Sequence, residues 1–312
     1  MSLKWQATIL ILLILISVTI TKLGDTSANE EVINTPTPNN EINSVSIQET
    51  SLSDYYSVRK VPTRDWNVFD PSVQAGAVIV HSIDDEIPLF YFNSREQWRL
   101  ASITKLLTAA VVIEEIGLSA DIPISPEAVA TEGIAGDLKG GETYNSKDLL
   151  NIMILVSSND AAAAFEEYFG GQEQFAEMLN EKAREIGMNA SLFHDGSGLS
   201  DDNFGTATDV LKLTKYILTN HPNILNWSRN SSILVQPSNG TESRTLENIN
   251  EFLTQREYLG GKTGTSPLAK QNITAVLDFQ DRKIVVILLG ADDRHQEIDK
   301  LLDWVKRAYT FN

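Results

Sequence analysis

The chain has 312 residues, 42% hydrophobic and 21% charged, with a formal net charge of −17, enough length to bury the core of one or two domains. That acidity, with no clustered run of Lys and Arg, argues against a nucleic-acid partner, whose phosphates demand concentrated positive charge. Cysteine is absent, which excludes disulfides, a thiol nucleophile, thiolate metal sites and a lipidated cysteine. The histidines His81, His194, His221 and His295 lie far apart without a paired spacing, so neither a metal nor another cofactor is expected.

The apolar stretch Ala7–Ile20 follows Lys4 and covers 14 residues, short of the roughly 20 that a spanning helix needs. Counting Leu3 to Leu23 brings it close to that length. A positive start, an apolar centre and a polar exit predict a signal peptide or N-terminal membrane anchor over 1–23. The anchor is preferred, because the cleavage candidate Thr26-Ser27-Ala28 lies well past the apolar centre. Residues 24–57 carry six acidic side chains, no basic one, and the run Thr35-Pro36-Thr37-Pro38. Such a segment buries too little apolar surface to offset its ordering entropy, and it reads as a flexible spacer.

The folded domain is expected over 58–312. Ala77–Val80 and Leu89–Phe92 flank Asp84-Asp85-Glu86 and predict a β-hairpin. Leu106–Ile116 is strongly apolar, as a buried helix should be, and Leu149–Val156 repeats that behaviour. Phe175, Leu179, Ala183 and Ile186 form a helical stripe stopped by Gly187. Thr206-Ala207-Thr208-Asp209 has the shape of a capping box at the start of another helix. Ile273–Phe279 and Ile284–Leu289 predict a second hairpin, and Ile298, Leu301, Leu302 and Val305 mark one face of a last helix. Strands at both ends around a helical middle imply a mixed α/β fold. It would be an antiparallel sheet flanked by helices, with an all-helical subdomain inserted over about 103–230.

Three short motifs carry chemistry: Ser102-Ile103-Thr104-Lys105, Ser157-Ser158-Asn159 and Lys262-Thr263-Gly264. Ser102 stands where the buried helix begins, near free backbone N–H groups and the positive end of the dipole. Lys105, three residues on, projects from the same side. A lysine in a dry cleft near another cation sheds its proton and can serve as a base. Taken alone, Ser-x-x-Lys is more often a capping serine before a surface lysine. Ser-x-Asn is weaker still, recurring at Ser27–Asn29 and Ser228–Asn230. The joint order and the contexts reverse that balance. Ser157 can relay a proton between Lys105 and a leaving nitrogen, and Asn159 offers both a donor and an acceptor to a peptide bond. Lys262-Thr263-Gly264-Thr265 fits an edge strand beside the cleft, where substrate can add as a strand and Gly264 permits close approach. The backbone N–H groups of Ser102 and Thr265 are the natural oxyanion pair.

The motif set resembles the penicillin-recognising serine hydrolases, and within them the low-molecular-mass D-alanyl-D-alanine carboxypeptidases. The similarity is carried by Arg99–Ala109, by Ala183–Met188 with Phe193 and Gly198-Leu199, by Gly260–Thr265 and by Leu301–Trp304, and extends over about Pro71–Tyr309. It implies a β-lactamase/transpeptidase-like fold and metal-free hydrolysis or transfer at the D-Ala-D-Ala end of peptidoglycan stem peptides through an acyl-serine. β-Lactam antibiotics would act as inhibitors, on the extracytoplasmic face of a bacterial membrane or in secreted form if the leader is cleaved. By the same resemblance Ser102 is the nucleophile, Lys105 its base, Ser157 the relay and Asn159 the substrate clamp. Lys262 and Thr263 would flank the substrate carboxylate, with Arg294 of Asp292-Asp293-Arg294 as a further ligand for it. An arginine paired with its neighbouring aspartates is the plainer reading of that last residue.

Many relatives add a C-terminal β-domain and an amphipathic membrane helix that this sequence does not show after Trp304, so the N-terminal segment would supply anchoring. A single-domain form also brings DD-endopeptidase activity into view. A class A-like β-lactamase needs a deacylating glutamate; Glu185-Ile186-Gly187-Met188-Asn189 fits that loop pattern loosely, but it reads as the end of an amphipathic helix. A non-catalytic wall-binding or β-lactam-sensing module is the rival from another class, disfavoured because the whole motif set is present.

Overall fold

The strand Lys283–Ala291 is buried along almost its whole length, as a strand covered on both faces must be. The structure, a computed structural model, describes residues 61–133, 135–254 and 257–311. The expected signal or anchor segment and the acidic spacer lie outside the described residues. Among those described, no helix is long and apolar enough to cross a membrane.

Five strands form the central sheet: β1 (Ala77–Ser82), β2 (Ile87–Phe92), β3 (Tyr258–Ser266), β4 (Lys270–Asp278) and β5 (Lys283–Ala291). Their order is β3-β4-β5-β1-β2, and every neighbouring pair is antiparallel. Both expected hairpins are present, and β1 joins β5, so the two ends of the fold meet in the middle of one sheet. Alternation along the strands then divides the core in two. Ala77, Ile79, Val285, Ile287 and Leu289 face the helical side. Val78, Val80, Ile284, Val286 and Leu288 face the C-terminal helix through Ile298, Leu301, Trp304 and Val305. A slip of one residue would exchange these sets, so the two covered faces specify the register.

Seven helices matter for the site: α1 (Lys105–Ile116), α2 (Ser146–Leu155), α3 (Asn159–Tyr168), α4 (Gln172–Glu185), α5 (Ala207–Asn220), α6 (Pro222–Trp227) and α7 (Arg294–Ala308). Every residue of α1 from Lys105 to Val112 is buried, because α2, α3, α4 and α5 all pack around it. Asn145, Ser158, Thr206 and Asp293 cap α2, α3, α5 and α7, each accepting backbone N–H groups with its side chain. The box expected at α5 is half made. Thr206 Oγ1 accepts the Asp209 N–H, but the Asp209 carboxylate turns to Ala190 N, Ser191 Oγ and Lys212 Nζ. Tertiary partners thus replace the reciprocal local bond.

Candidate active site

A 3-10 turn, Ala101–Thr104, carries Ser102 into α1, and Ala101 takes a left-handed φ of 47° to make the entry. Asn272, fully buried on β4, holds that entry to the sheet. Its Nδ2 donates to the carbonyls of Arg99 (2.7 Å) and Leu100 (3.1 Å), while its Oδ1 accepts the Gly290 N–H at 2.8 Å. β3 runs against the turn at Gly264. A Cβ there would lie 2.9 Å from the Leu100 oxygen and 3.1 Å from the Ser102 nitrogen, which only glycine avoids.

Lys105, 0% exposed, points back under the serine. Its Nζ donates to Ser102 Oγ at 3.1 Å, to Asn159 Oδ1 at 2.7 Å and to the Ser197 carbonyl. Burial lowers its pKa from 10.5 to about 7, against the upward pull of the Asp195 and Glu166 carboxylates. Lys262, 3% exposed on β3, donates to Ser157 Oγ and to the Thr263 carbonyl, both at 2.9 Å. Burial, then the positive charges of Lys105 and Arg294, holds its pKa well below the ordinary lysine value. Ser157 sits at the end of α2 with a φ of 58°, a conformation that serine adopts only where its surroundings enforce it. Asn159 opens α3 and donates from Nδ2 to the Glu132 carbonyl at 2.8 Å. Arg294 donates from Nη1 to Thr265 Oγ1 at 2.9 Å, and burial lowers its pKa.

The nine residues singled out from the sequence are therefore brought together by pairwise contacts among α1, the α2–α3 junction, β3 and the start of α7, with Thr263 reached only through its carbonyl. Two details differ from the reading above. The Ser157 hydroxyl bonds to Lys262, not Lys105. Arg294 does not pair with its neighbouring aspartates: Asp292 pairs with Lys270 and Asp293 caps α7, leaving the guanidinium on Thr265. Glu185 lies at the exposed end of α4, ion-paired with Lys182, as expected of a helix-end residue. A hollow of about 480 Å³ lined by Glu257, Asp278, Asp299 and Asp303 contains none of the motif residues.

One element escaped the sequence reading. The loop Asp195–Ser200 forms the floor beneath Lys105. Asp195 Oδ1 accepts Ser197 N, Ser197 Oγ and Gly198 N, and its Oδ2 accepts Ser200 N. Gly198 has a φ of 83°, and a Cβ on it would fall 2.0 Å from the Ala101 oxygen. Gly198-Leu199 had drawn notice only through resemblance; the Asp-Gly-Ser-Gly string is a turn signal, but nothing local connects it to a lysine about ninety residues away. Glu166 on α3, which accepts the Gly196 N–H at 2.6 Å, was likewise missed.

Known proteins similar to this chain identify its family and fold. The family described as D-alanyl-D-alanine carboxypeptidase matches residues 65–293. D-alanyl-D-alanine carboxypeptidase DacF of Bacillus subtilis strain 168 is 26% identical over 247 residues, covering 76% of this chain and 63% of that protein. The chain thus spans less than two thirds of that relative's length. D-alanyl-D-alanine endopeptidase of Escherichia coli strain K12 is 25% identical over 248 residues, covering 76% of this chain and 78% of that protein. The crystal structure of a D-alanyl-D-alanine carboxypeptidase from Mycobacterium tuberculosis H37Rv superposes with a TM-score of 0.71, at 23% identity over 78% of this chain and 96% of that one. At that identity the likeness is one of fold, β-lactamase/transpeptidase-like.

Proposed function

Because the chain belongs to the D-alanyl-D-alanine carboxypeptidase family of serine-type hydrolases, we propose that it removes the terminal D-Ala from peptidoglycan stem peptides through an acyl-Ser102 intermediate. The observation that supports this most directly is the fully buried Lys105 with its Nζ 3.1 Å from Ser102 Oγ. A lysine titrating near pH 7 is in part neutral at physiological pH, and the neutral amine accepts the serine proton.

In this reading Ser102 Oγ attacks the carbonyl carbon of the penultimate D-Ala while its proton passes to Lys105 Nζ. The oxyanion is held by the N–H groups of Ser102 and Thr265. Collapse of the tetrahedral adduct breaks the C–N bond, and the proton that Lys105 took passes to the departing nitrogen through Ser157, whose hydroxyl Lys262 holds. Asn159 orients the substrate peptide bond. Lys262, Thr263, Thr265 and Arg294 meet the terminal carboxylate, with Gly264 giving the strand its close approach. Water then hydrolyses the ester. A β-lactam acylates the same serine, but its leaving amine stays tethered, so the adduct persists.

The family likeness also favours an extracytoplasmic setting, with residues 1–23 as anchor or leader, 24–57 as spacer and 58–312 as the catalytic domain. The net charge of −17 disfavours a nucleic-acid partner. DD-endopeptidase action on cross-links is the second reading, favoured by the Escherichia coli relative that carries that name. A β-lactamase reading loses its candidate base, since Glu185 is exposed and ion-paired on α4.

Intact-mass spectrometry with benzylpenicillin tests the proposal. A persistent one-to-one adduct that is absent from Ser102→Ala supports it. Rapid drug consumption without an adduct would establish a β-lactamase instead, and no reaction would leave a binding module.

A further inference from the structure

Glu166 lies two helical turns beyond Asn159 on α3, on the wall of a separate cavity of about 360 Å³. Asn159, Asp195, Ser197 and Leu199 line the same cavity. Glu166 Oε1 accepts the Gly196 N–H at 2.6 Å, and no described residue bonds its Oε2. The Gly196 carbonyl in turn accepts Thr108 Oγ1 at 2.6 Å, from the helix that carries Lys105. The next carbonyl along, that of Ser197, accepts the Lys105 ammonium. One peptide unit therefore connects the Glu166 carboxylate to the group that receives the lysine.

We propose that Glu166 is a positioning residue for Lys105, fixing the loop that carries the Ser197 carbonyl and setting the charge beside the lysine. This rests on the reading of Lys105 as the base. The ionisable groups that face Lys105 are Asp195, Glu166 and, across the site, Lys262. Those that face Glu166 are Asp195, Lys105 and the adjacent Glu167. Burial, and then the Asp195 charge, raises the Glu166 pKa to about 7, against the Gly196 N–H and Lys105, which favour the ionised form. Burial thus raises Glu166 and lowers Lys105, bringing the two titrations towards each other. An ionised Glu166 holds the proton on Lys105; a neutral side chain in its place releases it at lower pH.

The test is the pH profile of benzylpenicillin acylation in wild type, Glu166→Gln, Glu166→Asp and Glu167→Gln. The acid limb should move to lower pH in Glu166→Gln by about 0.3 unit or more, about a two-fold higher relative rate below the midpoint. Glu166→Asp, which keeps the charge, should return towards wild type, and Glu167→Gln should leave the limb in place. A Glu166→Gln limb that coincides with wild type, or moves upward, overturns the proposal. So does an equal shift in Glu167→Gln. Should Glu166→Gln not fold, the Lys105 side-chain NMR resonance in wild type decides: two inflections against pH support coupling to Glu166, and a single one refutes it. A wild-type protein that is not acylated, or a Lys105→Ala protein acylated at the wild-type rate, refutes the reading of the base itself. An unmoved limb in an active enzyme refutes this inference alone.

Discussion

Lys105 destabilises the fold that it equips for reaction. In the unfolded chain it titrates near the ordinary 10.5, and in the folded state near 7. Between those values the unfolded state binds more protons, so folding is penalised fully below about pH 7, progressively less as pH rises, and not at all above 10.5. Lys105→Met should therefore abolish acylation yet raise the melting temperature at pH 7, with the gain over wild type shrinking towards pH 10. Equal gains at both pH values would contradict the buried-lysine account. With Lys105 as the base in the proposed mechanism, wild-type acylation should fall as pH drops through about 7, as that base becomes protonated. Gly198 makes a steric prediction. With a φ of 83° and no room for a Cβ against Ala101, Gly198→Ala should cost about 1–3 kcal/mol in urea denaturation. It should also slow acylation, because the displaced backbone belongs to the turn that carries Ser102.

At the scale of elements, the caps show where local rules suffice and where they do not. Thr206→Ala should cost about 1 kcal/mol, the usual loss for an N-cap, read from the shift in the urea midpoint. Asp209→Ala should cost more than Thr206→Ala, since Asp209 also holds Ala190 N, Ser191 Oγ and Lys212 Nζ. The reverse order would show that the local cap outweighs these tertiary bonds. The main helix and strand positions were legible because apolar spacing reports them directly: α1 and α2 as strongly apolar stretches, α4 and α7 as stripes. The short ribbons Gln97–Arg99 with Phe204–Thr206, and Asp121–Pro123 with Thr143–Asn145, were not legible. Three residues are too few to establish a period, and their partners are remote in sequence.

Across the whole molecule, the sheet draws on both ends of the folded region, and α7 seals its second face. Trp304 is 1% exposed, packs edge-on against Phe90 at 5.4 Å between ring centroids, and donates from Nε1 to the Phe69 carbonyl at 2.8 Å. Trp304→Ala should cost about 3–5 kcal/mol while leaving the acylation rate intact at temperatures where the protein stays folded. A selective loss of acylation without loss of stability would mean that Trp304 acts on the site and not only on the packing of α7. The sequence by itself determined the main element types and the antiparallel α/β architecture, and it singled out Ser102, Lys105, Ser157, Asn159 and Lys262 as candidates, because periodicity and short motifs are local properties of the chain. Only the tertiary structure decided that Ser157 bonds to Lys262, that Arg294 turns to Thr265, and that the Asp195–Gly198 loop and Glu166 underlie Lys105. Those pairings depend on which loops the assembled sheet and a buried helix bring within hydrogen-bond distance, and no spacing along the chain encodes that.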